Sequence, residues 1–129
     1  MRLIALMLVY CFGNFLSATA VNCTPYIAMQ EKNHGIPMHL LKAVSLVESG
    51  KNVNDSMVAW PWTINVEGKG YLFRSKGEAI QAVRIHQAAG KTSIDVGPMQ
   101  INLKHHPDVF KSLEEAFDPQ LNIDRKSVV

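Results

Sequence analysis

The sequence is short of cysteine. Its 129 residues include two, Cys11 and Cys23, too few for a fold stapled by a disulfide framework. It also lacks any block of like charge. Its 13 basic and 11 acidic residues are interspersed and leave a net charge of +2, so nothing marks a nucleic-acid-binding surface or an acidic tail. No apolar run reaches the length of a membrane-spanning helix. No internal repeat or low-complexity segment is present. A chain with 47% hydrophobic and 19% charged residues is not disordered by composition. Its length suits one domain and excludes a large multidomain enzyme.

What is present begins with an address. Met1-Arg2 is a short basic start, Leu3 to Tyr10 is apolar, and Ala18-Thr19-Ala20 has the small-x-small form of a signal peptidase site. Residues 1–20 therefore read as a secretory signal and residues 21–129 as an exported domain, periplasmic or secreted. An uncleaved anchor is the alternative. Removing the signal leaves Cys23 as a single free thiol, without a partner for an internal disulfide. Tyr10 before Cys11 and Asn22 before Cys23 are both too large for a lipoprotein leader, which needs a small residue there.

The domain reads as α+β, mainly helical. Thr24-Pro25 marks a helix start, with Thr as N-cap and Pro at the first helical position, and His34-Gly35 marks its end. A second helix is predicted from Pro37 to Glu48. Leu40, Leu41, Val44 and Val47 fall at helical spacing, and Ser49-Gly50 stops it. Residues 51–57 are polar and read as a loop. Ala59 to Val66 and Tyr71 to Phe73 flank Glu67-Gly68-Lys69-Gly70, which predicts a β-hairpin. Ser75-Lys76-Gly77-Glu78 has capping-box spacing and opens a helix towards Gly90. Residues 91–104 read as an extended loop into a short helix. Pro107 reads as the start of another helix through Val109, Phe110 and Leu113, broken by Asp118-Pro119.

Glu48 stands out. It shares a helical face with Leu41 and Val44 and lies at the predicted helix end. Withdrawal from water and the helix macrodipole both favour the neutral carboxyl there. A Glu held protonated near neutral pH serves as a general acid. The plainer alternative is a solvated residue at a helix end, as most glutamates are. The second feature is Gly97-Pro98-Met99-Gln100-Ile101-Asn102. Gly97 allows close backbone approach and Pro98 stiffens the turn. The amides of Gln100 and Asn102 suit hydroxyl and acetamido groups; the alternative is that they satisfy the local backbone.

Val47-Glu48-Ser49-Gly50, the Trp60 to Phe73 stretch and Gly97 to Asn102, in that order, resemble the lytic transglycosylases of the soluble-lytic-transglycosylase superfamily. The resemblance runs over roughly residues 24 to 123. It implies a goose-type lysozyme-like domain with a small β-hairpin insertion. It further implies cleavage of the β-1,4 bond between N-acetylmuramic acid and N-acetylglucosamine in peptidoglycan glycan strands, with a 1,6-anhydro product. Glu48 matches the family's single acid/base. Ser49 matches the serine that helps hold the site, and Met99, Gln100 and Asn102 match the segment lining the sugar groove. No cofactor or metal is implied. A secretion-system or other envelope complex is an implied partner; nucleic acid is not. The alternative is a non-catalytic peptidoglycan-binding or assembly protein, or an inactive remnant.

Other side chains bear on the same chemistry. Tyr71 is the aromatic best suited to stack on a sugar, whereas Trp60, Trp62 and Phe73 read as packing for the insertion. Glu67 reads as a solvated turn tip and Asp95 as a backbone cap. The adjacent His105 and His106 point differently and have no third ligand at useful spacing. The family pattern continues beyond Leu121-Asn122-Ile123 with further helices, one of them carrying a Tyr-Asn motif. Asp124 to Val129 do not follow it, and no tyrosine occurs after Tyr71. The expectation is a domain incomplete at its C-terminus, with apolar surface left exposed.

Overall fold

A computed structural model describes residues 21–127 and 129; the predicted signal, residues 1–20, lies outside them. The fold is α+β. Helices α1 (Thr24–Asn33) and α2 (Leu40–Ser49) come first. A hairpin follows, β1 (Gly50–Val53) with β2 (Ser56–Ala59), and then a second, β3 (Thr63–Val66) with β4 (Lys69–Leu72). Helix α3 (Lys76–Ala88), strands β5 (Ile94–Val96) and β6 (Ile101–Asn102), and helices α4 (Leu113–Ala116) and α5 (Pro119–Lys126) complete it. The second sheet is antiparallel throughout, in the order β4-β3-β5-β6. Among the described residues no helix is long and apolar enough to cross a membrane.

Local chemistry explains most boundaries. α1 starts at Thr24, one residue earlier than its N-cap assignment predicts, with Cys23 as N-cap. Asn22 Oδ1 accepts the Thr24 N–H at 3.0 Å. α2 starts at Leu40 and not at Pro37, because His39 adopts a left-handed φ of 68°. The Glu31 carboxylate accepts the N–H groups of His39 (3.0 Å) and Lys42 (3.1 Å) and so caps that helix from outside. Burial disfavours the charge on Glu31, but the N–H bonds from His39, Lys42 and Leu41 and the nearby His39 outweigh it and hold the carboxyl below its ordinary range.

Four expectations are corrected. Residues 51–57 are not a loop. Asn54 and Asp55, with φ of 49° and 62°, make the two-residue turn of the β1–β2 hairpin. Residues 91–104 hold strands β5 and β6 joined by a turn, with no short helix, since Gln100 at φ 49° cannot enter a right-handed one. Pro107 starts no helix. Ser112 outcompetes it, its Oγ accepting the Glu115 N–H at 3.1 Å while Glu115 returns to the Lys111 N–H at 2.9 Å. Asp118-Pro119 opens α5 as N-cap and first residue, with Asp118 accepting the Leu121 N–H at 3.0 Å.

Two apolar clusters fill the interior. One joins the β3–β5 sheet to α3 and α4 through Ile64, Val83, Val96 and Phe117. The other joins α1, α2 and α5 to the turn after β5 through Ile27, Leu41, Met99 and Ile123. Cys23 belongs to the second cluster. It is a free thiol but a buried one, and burial pushes its pKa up to about 11.

Candidate active site

The candidate site forms where the two clusters meet. α2 ends at Ser49, and Gly50 turns the chain straight into β1. A Cβ on Gly50 would stand 2.2 Å from the Leu46 carbonyl oxygen, so the turn excludes any side chain. Ser49 is buried, and its Oγ lies 2.6 Å from the Pro98 carbonyl and 3.1 Å from that of Ser45. The hydroxyl has one proton to donate, and the shorter contact fastens the helix end to the Gly97–Asn102 segment. The Trp60 N–H adds a 2.9 Å bond to the Ser49 carbonyl, which brings in the strand side.

Asn122 holds that segment from behind, and sequence reading assigned it no role. It is fully buried. Its Oδ1 accepts the Met99 N–H at 2.9 Å, while its Nδ2 donates to the carbonyls of Val96 (2.9 Å) and Ala116 (3.0 Å). The partners fix the amide orientation, because a flipped amide would set oxygen against two carbonyls. Gly97 makes room for it, with φ 78° and an added Cβ meeting Asn122 Nδ2 at 2.4 Å. The available signal was a lone amide between Leu121 and Ile123, at a position that helical spacing buries.

Glu48 departs from the burial expected of it. The inward face of α2 is Leu41, Ser45 and Ser49, whereas Leu40 and Val47 are 52% and 86% exposed. The Glu48 side chain is 37% exposed, with the Lys126 ammonium 3.8 Å from Oε1. Glu48 is therefore exposed and not withdrawn from water as that expectation requires. The segment residues also differ from a simple groove lining. Met99 is fully buried in the core. Gln100 donates its amide to the carbonyls of Gly97 (2.9 Å) and Thr63 (3.2 Å). Asn102 donates to Asp95 (2.8 Å) and Ser93 (3.2 Å) and accepts the Lys104 and His105 N–H groups at 3.0 Å. That exhausts the Asn102 amide and makes it a turn residue.

The structure does not bring Tyr71 into this group. Its ring packs on His86 of α3, with centroids 5.4 Å apart. Trp60 and Trp62 are buried, and Trp60 Nε1 donates to the Phe73 carbonyl at 2.8 Å, so they hold the hairpin in place. Glu67 pairs with Lys91 at 2.7 Å, and that hydrogen bond and charge raise the lysine above its usual range. Among the described residues no group of three or more His, Cys, Asp or Glu is placed to hold a metal ion. A cavity of about 330 Å³ lies elsewhere, between α1 and the start of α2, lined by Ile27, Glu31, Ile36 and Met38 among others. No protein-family model, curated protein or solved structure matches this chain.

Proposed function

We propose that the domain is a peptidoglycan lytic transglycosylase of lysozyme-like build, exported to the cell envelope or beyond. The observation that carries this reading is the 2.6 Å bond from Ser49 to Pro98. It joins the Glu-Ser helix end to the Gly-Pro-Met-Gln segment across 49 positions of sequence, and these are two of the three segments on which the family resemblance rests.

In this reading the Glu48 carboxyl gives its proton to the bridging oxygen as the bond from the muramoyl C1 breaks. The carboxylate left behind takes the proton of the muramoyl C6 hydroxyl, whose oxygen bonds to C1 and closes the 1,6-anhydro ring. Glycosidases that use water usually need two carboxylates. Here the sugar supplies the nucleophile, so one is enough, and Asp95 and Glu67 stay in their hydrogen bonds with Asn102 and Lys91.

The test is to incubate the protein with purified peptidoglycan and analyse the released muropeptides by mass spectrometry, with an active transglycosylase as positive control. The expected products carry 1,6-anhydromuramoyl ends, and Glu48→Gln abolishes them. No release, or reducing ends in their place, refutes the reading. One observation favours a second reading: Glu48 is exposed and paired with Lys126, an arrangement suited to a polar contact surface. That reading is a non-catalytic peptidoglycan-binding protein that positions a secretion or other envelope complex. Retention on insoluble peptidoglycan without product release supports it.

A further inference from the structure

Lys126 is absent from the motifs that point to the site, yet α5 carries it there. The helix is capped by Asp118, anchored by the fully buried Ile123, and pinned by the three hydrogen bonds of Asn122. Lys126 follows Asn122 by four positions, so it leaves α5 on the same face one turn later. Its ammonium stands 3.8 Å from Glu48 Oε1. That is beyond hydrogen-bond reach, so the contact is one of charge alone. Among the described residues neither group has another polar partner, and the side chains are 28% and 37% exposed. The neighbouring Asp124 pairs with Arg125 at 3.5 Å.

We propose that Lys126 is an anion-recognition residue of this site. It selects glycan strands whose muramic acid bears a free lactyl carboxylate, that is, strands stripped of stem peptides. The inference rests on the peptidoglycan reading above. An ammonium has three donors and no acceptor, and a neutral sugar offers it only hydroxyls. The lactyl group offers a carboxylate until a stem peptide converts it to an amide. When Glu48 holds the proton that the proposed reaction requires, Lys126 loses its counter-charge, and the substrate carboxylate replaces it.

Calorimetric titration of the Glu48→Gln protein, which removes both turnover and the competing charge, tests this. The probes are peptide-free glycan strands and the same strands with the lactyl carboxylates methyl-esterified. The expected result is about two- to fivefold tighter binding of the free acid, the range of a partly exposed ion pair, shrinking as salt rises. Lys126→Gln removes the preference and Lys126→Arg keeps it, with helix content checked by circular dichroism. Equal affinity for the two strands in protein that retains Lys126 overturns the proposal, whatever the lysine variants do. Failure to bind either strand overturns the peptidoglycan reading and this proposal with it.

Discussion

Replacing Asn122 with Ala is expected to be the most costly single amide truncation in the domain. The side chain is fully buried and makes three hydrogen bonds of 2.9–3.0 Å, all to backbone. At about 1 kcal/mol each, the lost bonds amount to about 3 kcal/mol. The stranded groups and the vacated volume push the cost higher. For a domain of this size each kcal/mol lowers Tm by about 4–8 °C, so a fall of at least 12 °C is expected on this scale, read by circular dichroism and checked by urea unfolding. Asn122→Asp should be no better. It keeps the acceptor for Met99 but turns oxygen towards the Val96 and Ala116 carbonyls, with a buried charge besides. Gly97→Ala gives an internal control. Its Cβ collides with Asn122, so the Gly97→Ala/Asn122→Ala double variant should cost less than the two singles summed. A loss below about 1 kcal/mol for Asn122→Ala, or strict additivity in the cycle, refutes this account of the seam.

Three other outcomes follow from the geometry. Ser49→Ala removes the bond to Pro98 and should lower stability by about 1–2 kcal/mol in urea titrations and, under the proposed peptidoglycan reading, weaken glycan binding; unchanged binding would separate Ser49 from the site. Cys23, with its pKa near 11, is about one part in a thousand thiolate at pH 8, so Ellman's reagent should label it slowly when native and quickly in urea. Equal rates would contradict its burial. Glu31 has a lowered carboxyl, so its stabilisation is complete above the ordinary Glu pKa of about 4.3 and is lost as pH falls through the lower folded value. The advantage of wild type over Glu31→Gln should therefore shrink below about pH 4.3, and a constant difference down to full acid unfolding would exclude that role.

The sequence was most legible where one short motif decides one boundary. Ser75 with Glu78 starts α3, the Glu67-Gly68 turn makes the β3–β4 hairpin, and Asp118-Pro119 marks a boundary, although it opens a helix there and does not merely end one. It was less legible where turn geometry overrides composition. Lys51-Asn52-Val53 has no apolar alternation to mark a strand, and Asn54-Asp55 sets the hairpin by backbone conformation alone. At Pro107 two start signals competed, and the one with a reciprocal side-chain cap prevailed. Asn122 was invisible for another reason: a buried amide is recognised by the backbone groups it meets, here carbonyls from β5 and α4 and an N–H from the turn after β5.

The misplacement of Glu48 has the same origin. Helical periodicity sets Glu48 on one apolar face with Leu41 and Val44, but on α2 Leu41 alone of the three is buried, Val44 is half-buried and Glu48 is exposed. The neighbour that α2 meets at its end is backbone: the Pro98 carbonyl on one side and the Trp60 N–H on the other. Backbone polar groups removed from water need partners; the Ser49 hydroxyl serves the Pro98 carbonyl and the Ser49 backbone carbonyl serves the Trp60 N–H. The inward face is therefore Leu41, Ser45 and Ser49, and the rotation that seats the serines turns Glu48 outward to Lys126. The bond that joins the two motifs thus also sets the charge environment of the carboxylate. A variant that refilled the inward face with apolar residues would have to break the Ser49–Pro98 contact to do it.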